Sequence, residues 1–439
     1  MKRGKRKLRK TKEMKLIEQI LTKSNVREAL ERVISNKGAA GIDGMPVEDL
    51  RAYLNTNWLS IKQSILAREY RPKPVRRVEI PKPNGGVRKL GIPSVVDRVI
   101  QQSIVQVLTP IFESEFQENS YGFRPQRSCE QAVLKLLEYV NDGCEWIVDI
   151  DLEKFFDNVP QDKLMSYVGR VIRDPDTESL IRKYLKSGVM DNGIYSATEV
   201  GTPQGGNLSP LLSNIMLNEL DKELVRRGLN WVRYADDCVI AVRSSASANR
   251  VMHTITRWIE RKLGLKVNAE KTHVCRPSKL KYLGFGFYKN PKTQTWATRA
   301  HESSVTKFKR TLKKLCKRSW GISMTNRITK LNQTIRGWIN YFAIANMKGK
   351  MAEIDAHMRT MVRKVIWKQW KTPRKRAWGL RKLGVDNDLA KVTSYCGNRY
   401  EWVVRRTCVV RAISKEILLR RGLVSVLDYY KIRHSLKTN

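Results

Sequence analysis

The chain has 439 residues, 84 Lys plus Arg against 42 Asp plus Glu, a formal net charge of +42, and 41% apolar residues. That length exceeds one ordinary domain and points to about two to four, and the apolar fraction is enough for real cores. No run of eighteen or more uncharged apolar residues occurs, so no transmembrane helix is expected; the basic start, eight Lys or Arg between Met1 and Lys12, lacks the apolar stretch of a secretory signal.

A chain this basic repels itself unless it meets a polyanion. Nucleic acid fits best, because 11 Trp, 15 Tyr and 9 Phe supply stacking surfaces beside the cations. No basic amphipathic anchor speaks for a membrane. From Arg299 to Asn439 there are 34 basic and 8 acidic residues, against 50 and 34 before it. The carboxylates therefore sit mainly in the first two thirds, which suggests a catalytic part followed by a binding part. Seven cysteines form no Cys-x-x-Cys pair and are odd in number. A zinc knuckle or disulfide framework is not expected, and a reducing intracellular compartment fits.

In chain order, Leu16, Ile17, Ile20, Leu21, Val26, Leu30 and Val33 recur at helical spacing after the basic tail. A glycine-rich loop, Gly38 to Gly44, leads to a second helical segment from about Val47 to Ala67. Tyr70 to Pro93 alternates basic and apolar residues around Asn84-Gly85-Gly86 and predicts a basic β-hairpin. Asp97–Leu108 and Cys129–Tyr139 read as helices, Trp146–Asp151 as a buried strand closed by a Phe-Phe-Asp turn, and a helix follows from about Gln161. Leu208–Arg227 is a long helical run. Trp231–Tyr234 and Cys238–Val242 are strands flanking Ala-Asp-Asp, a hairpin with two carboxylates at its turn. Ala246–Leu263 is helical and Lys281–Tyr288 a strand pair, which gives a β-α-β-β-α-β pattern of the ferredoxin-like class. Beyond Glu302 the chain reads as helical over Val305–Leu315, Asn326–Ala345 and Ala352–Trp370, with a mixed basic segment from Thr372-Pro373 onward.

Two carboxylates at a hairpin turn and a third at the end of another strand suit metal-dependent nucleotidyl transfer. That chemistry uses two Mg²⁺ ions about 3.5–4 Å apart. Mg²⁺ takes hard oxygen ligands and keeps several waters, so two or three carboxylates suffice if they converge from different strands. Aspartates are also ordinary turn formers, but strongly apolar strands flank Asp236-Asp237. Asp149 and Asp151 point to one face of their strand, so the pattern does not choose between them, and Asp157 is a third candidate.

Asp149-Ile-Asp-Leu-Glu-Lys-Phe-Phe-Asp-Asn-Val159, Gly201-Thr-Pro-Gln-Gly-Gly-Asn-Leu-Ser-Pro210 and Arg233-Tyr-Ala-Asp-Asp237 resemble successive blocks of the reverse transcriptases encoded by bacterial group II introns. Ser120-Tyr-Gly-Phe-Arg-Pro125, Asn268-Ala-Glu-Lys-Thr272 and Tyr282-Leu-Gly-Phe285 match further blocks in the same order. The resemblance implies an α+β, right-hand polymerase. Its parts would be an N-terminal extension and start of the fingers over 1–69, fingers over 70–145 and a ferredoxin-like palm over 146–298. An α-helical thumb, or maturase domain X, would follow over 299–371, and a basic C-terminal DNA-binding region over 372–439. Asp151, Asp236 and Asp237, with the Leu152 carbonyl, would hold the two Mg²⁺ ions, Mn²⁺ being able to substitute. Asp149 would support them.

The same resemblance puts Lys82 and Arg88 of the basic hairpin, Gln204, and Phe156 around the incoming deoxynucleoside triphosphate. An aromatic ring at Phe156 would leave no room for a 2′-hydroxyl, while Phe155 would pack in the core. Lys271 would give a proton to pyrophosphate. Arg76 and Arg77 would contact template backbone, and Leu283-Gly284 would position the primer. Trp338 and Tyr341, in Ile335 to Phe342, read as helix core. The implied partners are group II intron RNA, an RNA template with a DNA primer, and target DNA, in a bacterial cytoplasm and associated with the nucleoid. One His after residue 357 and no Cys pair point to the lineage without an HNH endonuclease. A maturase with a vestigial polymerase is disfavoured by the intact Asp151, Asp236, Asp237, Phe156 and Gln204. A free-standing host reverse transcriptase fits the long basic C-terminal third less well.

Overall fold

The computed structural model describes residues 14–81, 85–191, 193–202 and 205–438, and the chain divides into two units, Met1–Cys275 and Arg276–Asn439. In the first unit the helices are α1 (Lys23–Ser35), α2 (Leu50–Leu66), α3 (Val95–Glu113), α4 (Cys129–Asn141), α5 (Gln161–Ile172), α6 (Pro175–Leu185), α7 (Ser209–Arg226) and α8 (Ser245–Trp258), with shorter helical turns between them. Its strands are β1 (Val75–Pro81), β2 (Val87–Ile92), β3 (Trp146–Ile150), β4 (Val189–Asp191), β5 (Ile194–Ser196), β6 (Asn230–Tyr234), β7 (Asp237–Val242) and β8 (His273–Cys275).

One sheet has the order β6-β7-β3-β8, each neighbour antiparallel. Chain order β-α-β-β-α-β with β3 inside and the β6–β7 hairpin beside it is the ferredoxin-like arrangement. Its strands are apolar on both faces because helices cover both. Val148, Ile150, Cys238 and Ile240 join the main core with side chains of α5, α7 and α8; Asp149 lies on the opposite face, in register with Val239 and His273. A second sheet, β2-β1-β4-β5, extends the basic hairpin by a short parallel pairing of β1 with β4. Strands of three residues carry too little alternation to be seen in sequence, and β4, β5 and β8 were not anticipated; β8, not the expected Lys281–Tyr288 pair, completes the ferredoxin-like sheet, and that pair lies in a separate sheet.

A buried carboxylate fixes where the basic hairpin leaves the helices. Asp97 accepts from Tyr70 Oη at 2.8 Å, Ser94 Oγ at 2.7 Å, the Lys73 N–H at 3.2 Å and Tyr184 Oη at 3.2 Å. Burial pushes its pKa up, and these donors pull it back. The carboxylate thereby joins the start of α3 to the approach to β1 and to α6.

Arg233, on β6, is wholly buried with Asp221 of α7. Its Nε and Nη2 donate to the two oxygens of Asp221 at 2.7 and 2.5 Å. Nη2 also reaches Ser120 Oγ at 2.7 Å, and Nη1 reaches Asn214 Oδ1 at 3.1 Å and the Ala235 carbonyl at 2.8 Å. The guanidinium's five donors are therefore all used. Main-chain bonds from Tyr121 N–H to Arg233 O and from Arg233 N–H to Asn119 O bind the Ser120 segment along β6. Gly122 then lies under the β6–β7 turn: a Cβ there would stand 2.2 Å from the Ala235 nitrogen.

The second unit has a sheet of β9 (Lys281–Tyr282), β10 (Phe285–Lys289) and β11 (Trp296–Ala300), in the order β11-β10-β9. Helices α9 (Glu302–Leu315), α10 (Met324–Tyr341) and α11 (Lys348–Gln369) follow. Trp338 stacks on Phe308 with centroids 4.4 Å apart, and Phe342 packs between Trp338 and Phe285. The predicted mixed segment after Thr372 is helical where described: α12 (Pro373–Lys382), α13 (Asn387–Ser394), three short helices, and α14 (Val426–Thr438). It folds back on the preceding helices. Tyr430 Oη donates to the Ala345 carbonyl at 2.8 Å, the Val426 N–H donates to Asp355 Oδ1 at 2.7 Å, and Tyr429 Oη donates to Asn340 Oδ1 at 3.0 Å.

Removing one partner of a buried, fully bonded ion pair costs about 3–5 kcal/mol, so Arg233→Met should lower the stability of the first unit by about that amount, read as an earlier unfolding transition in urea by tryptophan fluorescence. An unchanged midpoint would remove Arg233 from its central place. Gly122→Ala should destabilise by roughly 1–3 kcal/mol through overpacking against backbone that has nowhere to go; a wild-type midpoint would mean the turn shifts freely.

Candidate active site

The β6–β7 connection is a two-residue turn, with Tyr234 paired to Asp237 and Ala235-Asp236 between them. Ala235 has φ +56°, a left-handed value that glycine usually supplies at the first position of such turns. The Arg233 guanidinium holding the Ala235 carbonyl over-determines that conformation. β7 runs beside β3 through the pair Ile150↔Cys238. One further step of that register sets Asp151 opposite Asp237, so carboxylates of two strands meet at one end of the sheet.

Asp151 is fixed by the segment Asn268–Thr272. Its N–H donates to Thr272 Oγ1 at 3.1 Å, its carbonyl accepts from the Asn268 N–H at 2.8 Å, and Lys271 Nζ lies 3.2 Å from its Oδ2. The Glu153 N–H donates to the Lys266 carbonyl. Leu152 thus faces Val267 as a non-hydrogen-bonded pair, with its own N–H and C=O directed away from the 266–268 segment.

Negative charge accumulates here. Burial pushes Asp149 up to about 6, and Asp151 adds to the rise while His273 opposes it. Asp237 is also pushed up to about 6, first by burial and then by Asp236, Asp149 and Asp151, with Lys271 opposing. Asp236 is raised by burial and by Asp151, and lowered by the charges of Arg88 and Arg233. Arg88 therefore acts electrostatically on the turn from β2. Among the described residues no three His, Cys, Asp or Glu side chains stand close enough together to hold a metal ion as placed, and Asp151 points its carboxylate at Lys271.

Phe155 is buried at 2% exposure, while Phe156 is half-buried with its ring edge-on to Phe155 at 5.2 Å. The Phe156 carbonyl accepts the Thr202 N–H at 2.7 Å, and a Cβ on Gly201 would strike the carbonyls of Phe156 and Asp157 at 2.8 Å. Gly205, at φ +109°, leaves room for the Gly91 carbonyl of β2, 2.5 Å from where a Cβ would stand. The glycine turn thus lies between Phe156 and the basic hairpin. Gln204 itself and Lys82 lie outside the described residues.

The hairpin arginines part company. On β1–β2, Arg76 and Arg88 share one face and Arg77 the other, from the register Arg76↔Ile92, Arg77↔Gly91 and Ile80↔Arg88. Arg88 is exposed. Arg76 is half-buried; its Nη2 donates to the Ala40 carbonyl at 2.7 Å. That bond holds the glycine-rich loop before α2. Leu283 and Gly284 belong to the second unit. Both have positive φ and form the turn joining β9 to β10. Tyr341 Oη holds the Leu283 carbonyl at 2.9 Å, and Ser304 Oγ and the His301 N–H hold that of Gly284, each at 2.9 Å. Tyr341 remains 44% exposed, its ring against Phe285 and Phe342.

Sequence reasoning did not single out Arg233, Ser120, Gly122, Asn214, Asp221 or Thr272. Arg233, Ser120, Gly122 and Thr272 stood inside quoted blocks, and that was the available signal. Asn214 and Asp221 looked like polar positions of an amphipathic helix.

Residues 80–287 match the family described as reverse transcriptase (RNA-dependent DNA polymerase), and residues 305–384 match the group II intron, maturase-specific domain. Protein YkfC of Escherichia coli is 36% identical over 287 residues, covering 56% of this chain and 75% of that protein. The group II intron-encoded protein LtrA of Lactococcus lactis is 39% identical over 206 residues, 47% of this chain but only 34% of the relative. Among solved structures, a chain of a partial Cas6-RT-Cas1–Cas2 complex overlays with a TM-score of 0.36 at 21% identity, covering 60% of this chain and 44% of that one. With a reverse transcriptase domain over its carboxylate centre and a maturase-specific domain in the helical part that follows, the chain belongs to the group II intron-encoded reverse transcriptases, RNA-directed DNA polymerases of mixed helices and sheets.

Proposed function

We propose that the carboxylates at the end of β3 and in the β6–β7 turn catalyse template-directed deoxynucleotide addition. The observation that carries this is the register that brings Asp151 opposite Asp237. The donor set fits a hard divalent cation: oxygen ligands only, with Asp151 and Asp236 half-buried and Asp237 more exposed, and with burial first and then the neighbouring carboxylates pushing Asp237 up to about 6. Asp151, Asp236, Asp237 and the outward-turned Leu152 carbonyl would hold two Mg²⁺ ions, with Mn²⁺ able to substitute. When bound, such ions activate a 3′-hydroxyl and neutralise leaving pyrophosphate.

The chain's own residues bind and orient. Arg88 and Lys82 would grip the triphosphate; the pull of Arg88 on Asp236 supports its reach. Phe156 would pack against the sugar and exclude a 2′-hydroxyl, and Gln204 would lie by the nucleotide on the turn that Gly205 docks on β2. Lys271, now on Asp151, would exchange that partner for pyrophosphate and supply its proton. Arg77, on the face of the hairpin away from Arg88, suits template backbone, and Arg76 would do so only in part, since it already holds Ala40. Leu283-Gly284 would position the primer.

The fine division follows: fingers over 70–145, a palm over 146–298, a thumb or domain X over 299–371 and a DNA-binding region over 372–439. The matches cover only part of LtrA, so the wider role is also a proposal. The protein would bind its intron RNA, assist splicing and copy the RNA at a cleaved DNA target, in the bacterial cytoplasm near the nucleoid. Binding to RNA would be strongly salt-dependent.

The test is extension of a DNA primer on an RNA template with deoxynucleotides and Mg²⁺. Asp236→Ala should lower the rate by more than about 10⁴-fold and leave RNA binding intact; surviving extension would put the chemistry elsewhere. Phe156→Ala should raise ribonucleotide incorporation relative to deoxynucleotide in single-nucleotide assays. Unchanged discrimination would move the gate to another residue, Phe155 first.

A further inference from the structure

The second unit contains a cavity of about 330 Å³ between the loop joining α9 to α10, the end of α11, and the start of the C-terminal helices. Its wall is cationic and aromatic, with Arg318, Trp320, Arg327, Lys368, Arg376 and Tyr400 facing it and no Asp or Glu. Arg327 is 1% and Arg376 4% exposed. Buried guanidiniums normally have a carboxylate partner, yet these two hold only main-chain carbonyls. Arg327 Nη1 donates to the Leu315 carbonyl and Nη2 to that of Trp320 at 2.8 Å; Arg376 Nε donates to the Trp370 carbonyl at 3.0 Å. Arg327 Nε is buried with no hydrogen-bond partner. The Arg318 guanidinium lies 4.1 Å over the Tyr400 ring, and Arg327 lies 5.3 Å from the Trp320 centroid.

An anion would complete this arrangement, and a flat group beside it would find planar partners. A sulfate-sized ion would satisfy the charge but leave most of the space and the stack unused. The volume is that of a small-molecule site. We propose that this cavity takes an unpaired nucleotide of a nucleic-acid strand, its phosphate beside Arg327 and Lys368 and its base against the Arg318–Tyr400 stack. This rests on the reading of the chain as a nucleic-acid enzyme and adds to it a discrete site that a paired strand cannot enter. RNA and DNA strands offer the same phosphate and base face, so each is an arm of the test.

Full-length protein is irradiated with a single-stranded RNA carrying 4-thiouridine, with the equivalent DNA carrying 4-thiothymidine, and with each strand annealed to its complement. Adducts are then mapped by peptide mass spectrometry. Adducts on peptides containing Trp320 or Tyr400, from a single strand and not from its duplex, are expected; the arm that yields them names the strand. Adducts only elsewhere, or equal yields from duplex, overturn the proposal. In parallel, Tyr400→Ala combined with Lys368→Gln should weaken single-strand binding about tenfold, the scale of one lost base stack. Melting temperature and extension on a short unstructured template should stay at wild-type values. Unchanged affinity overturns the site, whereas a wild-type protein that extends no primer would instead overturn the polymerase reading.

Discussion

The β6–β7 turn depends on one buried ion pair. Taking Arg233 and Asp221 out of water is costly, and mutual attraction alone does not reliably offset it. Here the remaining donors are satisfied by Ser120, Asn214 and the Ala235 carbonyl. A hydrophobic pair of similar volume could stabilise the core as well, but it could not hold the Ala235 carbonyl or fix Ser120 along β6. The pair's contribution is geometric. It joins α7, the Ser120–Gly122 segment and the β6–β7 turn at one point, and keeps Ala235 in a left-handed conformation that an isolated hairpin would leave.

The same turn concentrates like charge. Asp149, Asp236 and Asp237 are all raised by burial, and neighbouring carboxylates raise them further. Folding this arrangement costs free energy that a divalent cation would return. Lys271 on Asp151 meanwhile supplies part of the missing positive charge. Two kinds of residue therefore serve the site, those that tolerate the repulsion by fixing backbone and those that relieve it by charge.

Three of the four strands of the central sheet were legible, from the apolar stretches Trp146–Val148, Trp231–Val232 and Cys238–Val242; the fourth, β8, was not, and the pattern was closed on Lys281–Tyr288, which forms a separate sheet in the second unit. Asp236-Asp237 stood out in the sequence as paired carboxylates between apolar strands, and the structure puts them in the β6–β7 turn. The choice of Asp151 over Asp149 was not legible from alternation, because both occupy one face; it came from resemblance, and the register with β7 supplies a physical ground for it. β4, β5, β8 and β11 were missed. Their signal is tertiary, short segments completing sheets whose other strands were recognised. Arg76 illustrates a different failure. A basic residue on an exposed-looking hairpin has no sequence mark that it will turn inward to a loop carbonyl.

The net charge of +42 invites the view that binding is a matter of surface lysines. The two units suggest something more specific. The first gathers carboxylates that raise one another's pKa, and the second buries Arg327 and Arg376 with main-chain carbonyls as their hydrogen-bond partners. Each arrangement is worse for the isolated chain than an apolar alternative would be, and each is improved by a ligand of opposite charge. A ligand that binds only the folded state stabilises it by mass action. On the proposed reading, a cation at one site and a nucleic acid at the other would act on stability as well as on chemistry. A chain built this way would be most stable when assembled with such ligands, because the charges it leaves unneutralised are the groups those ligands would complete.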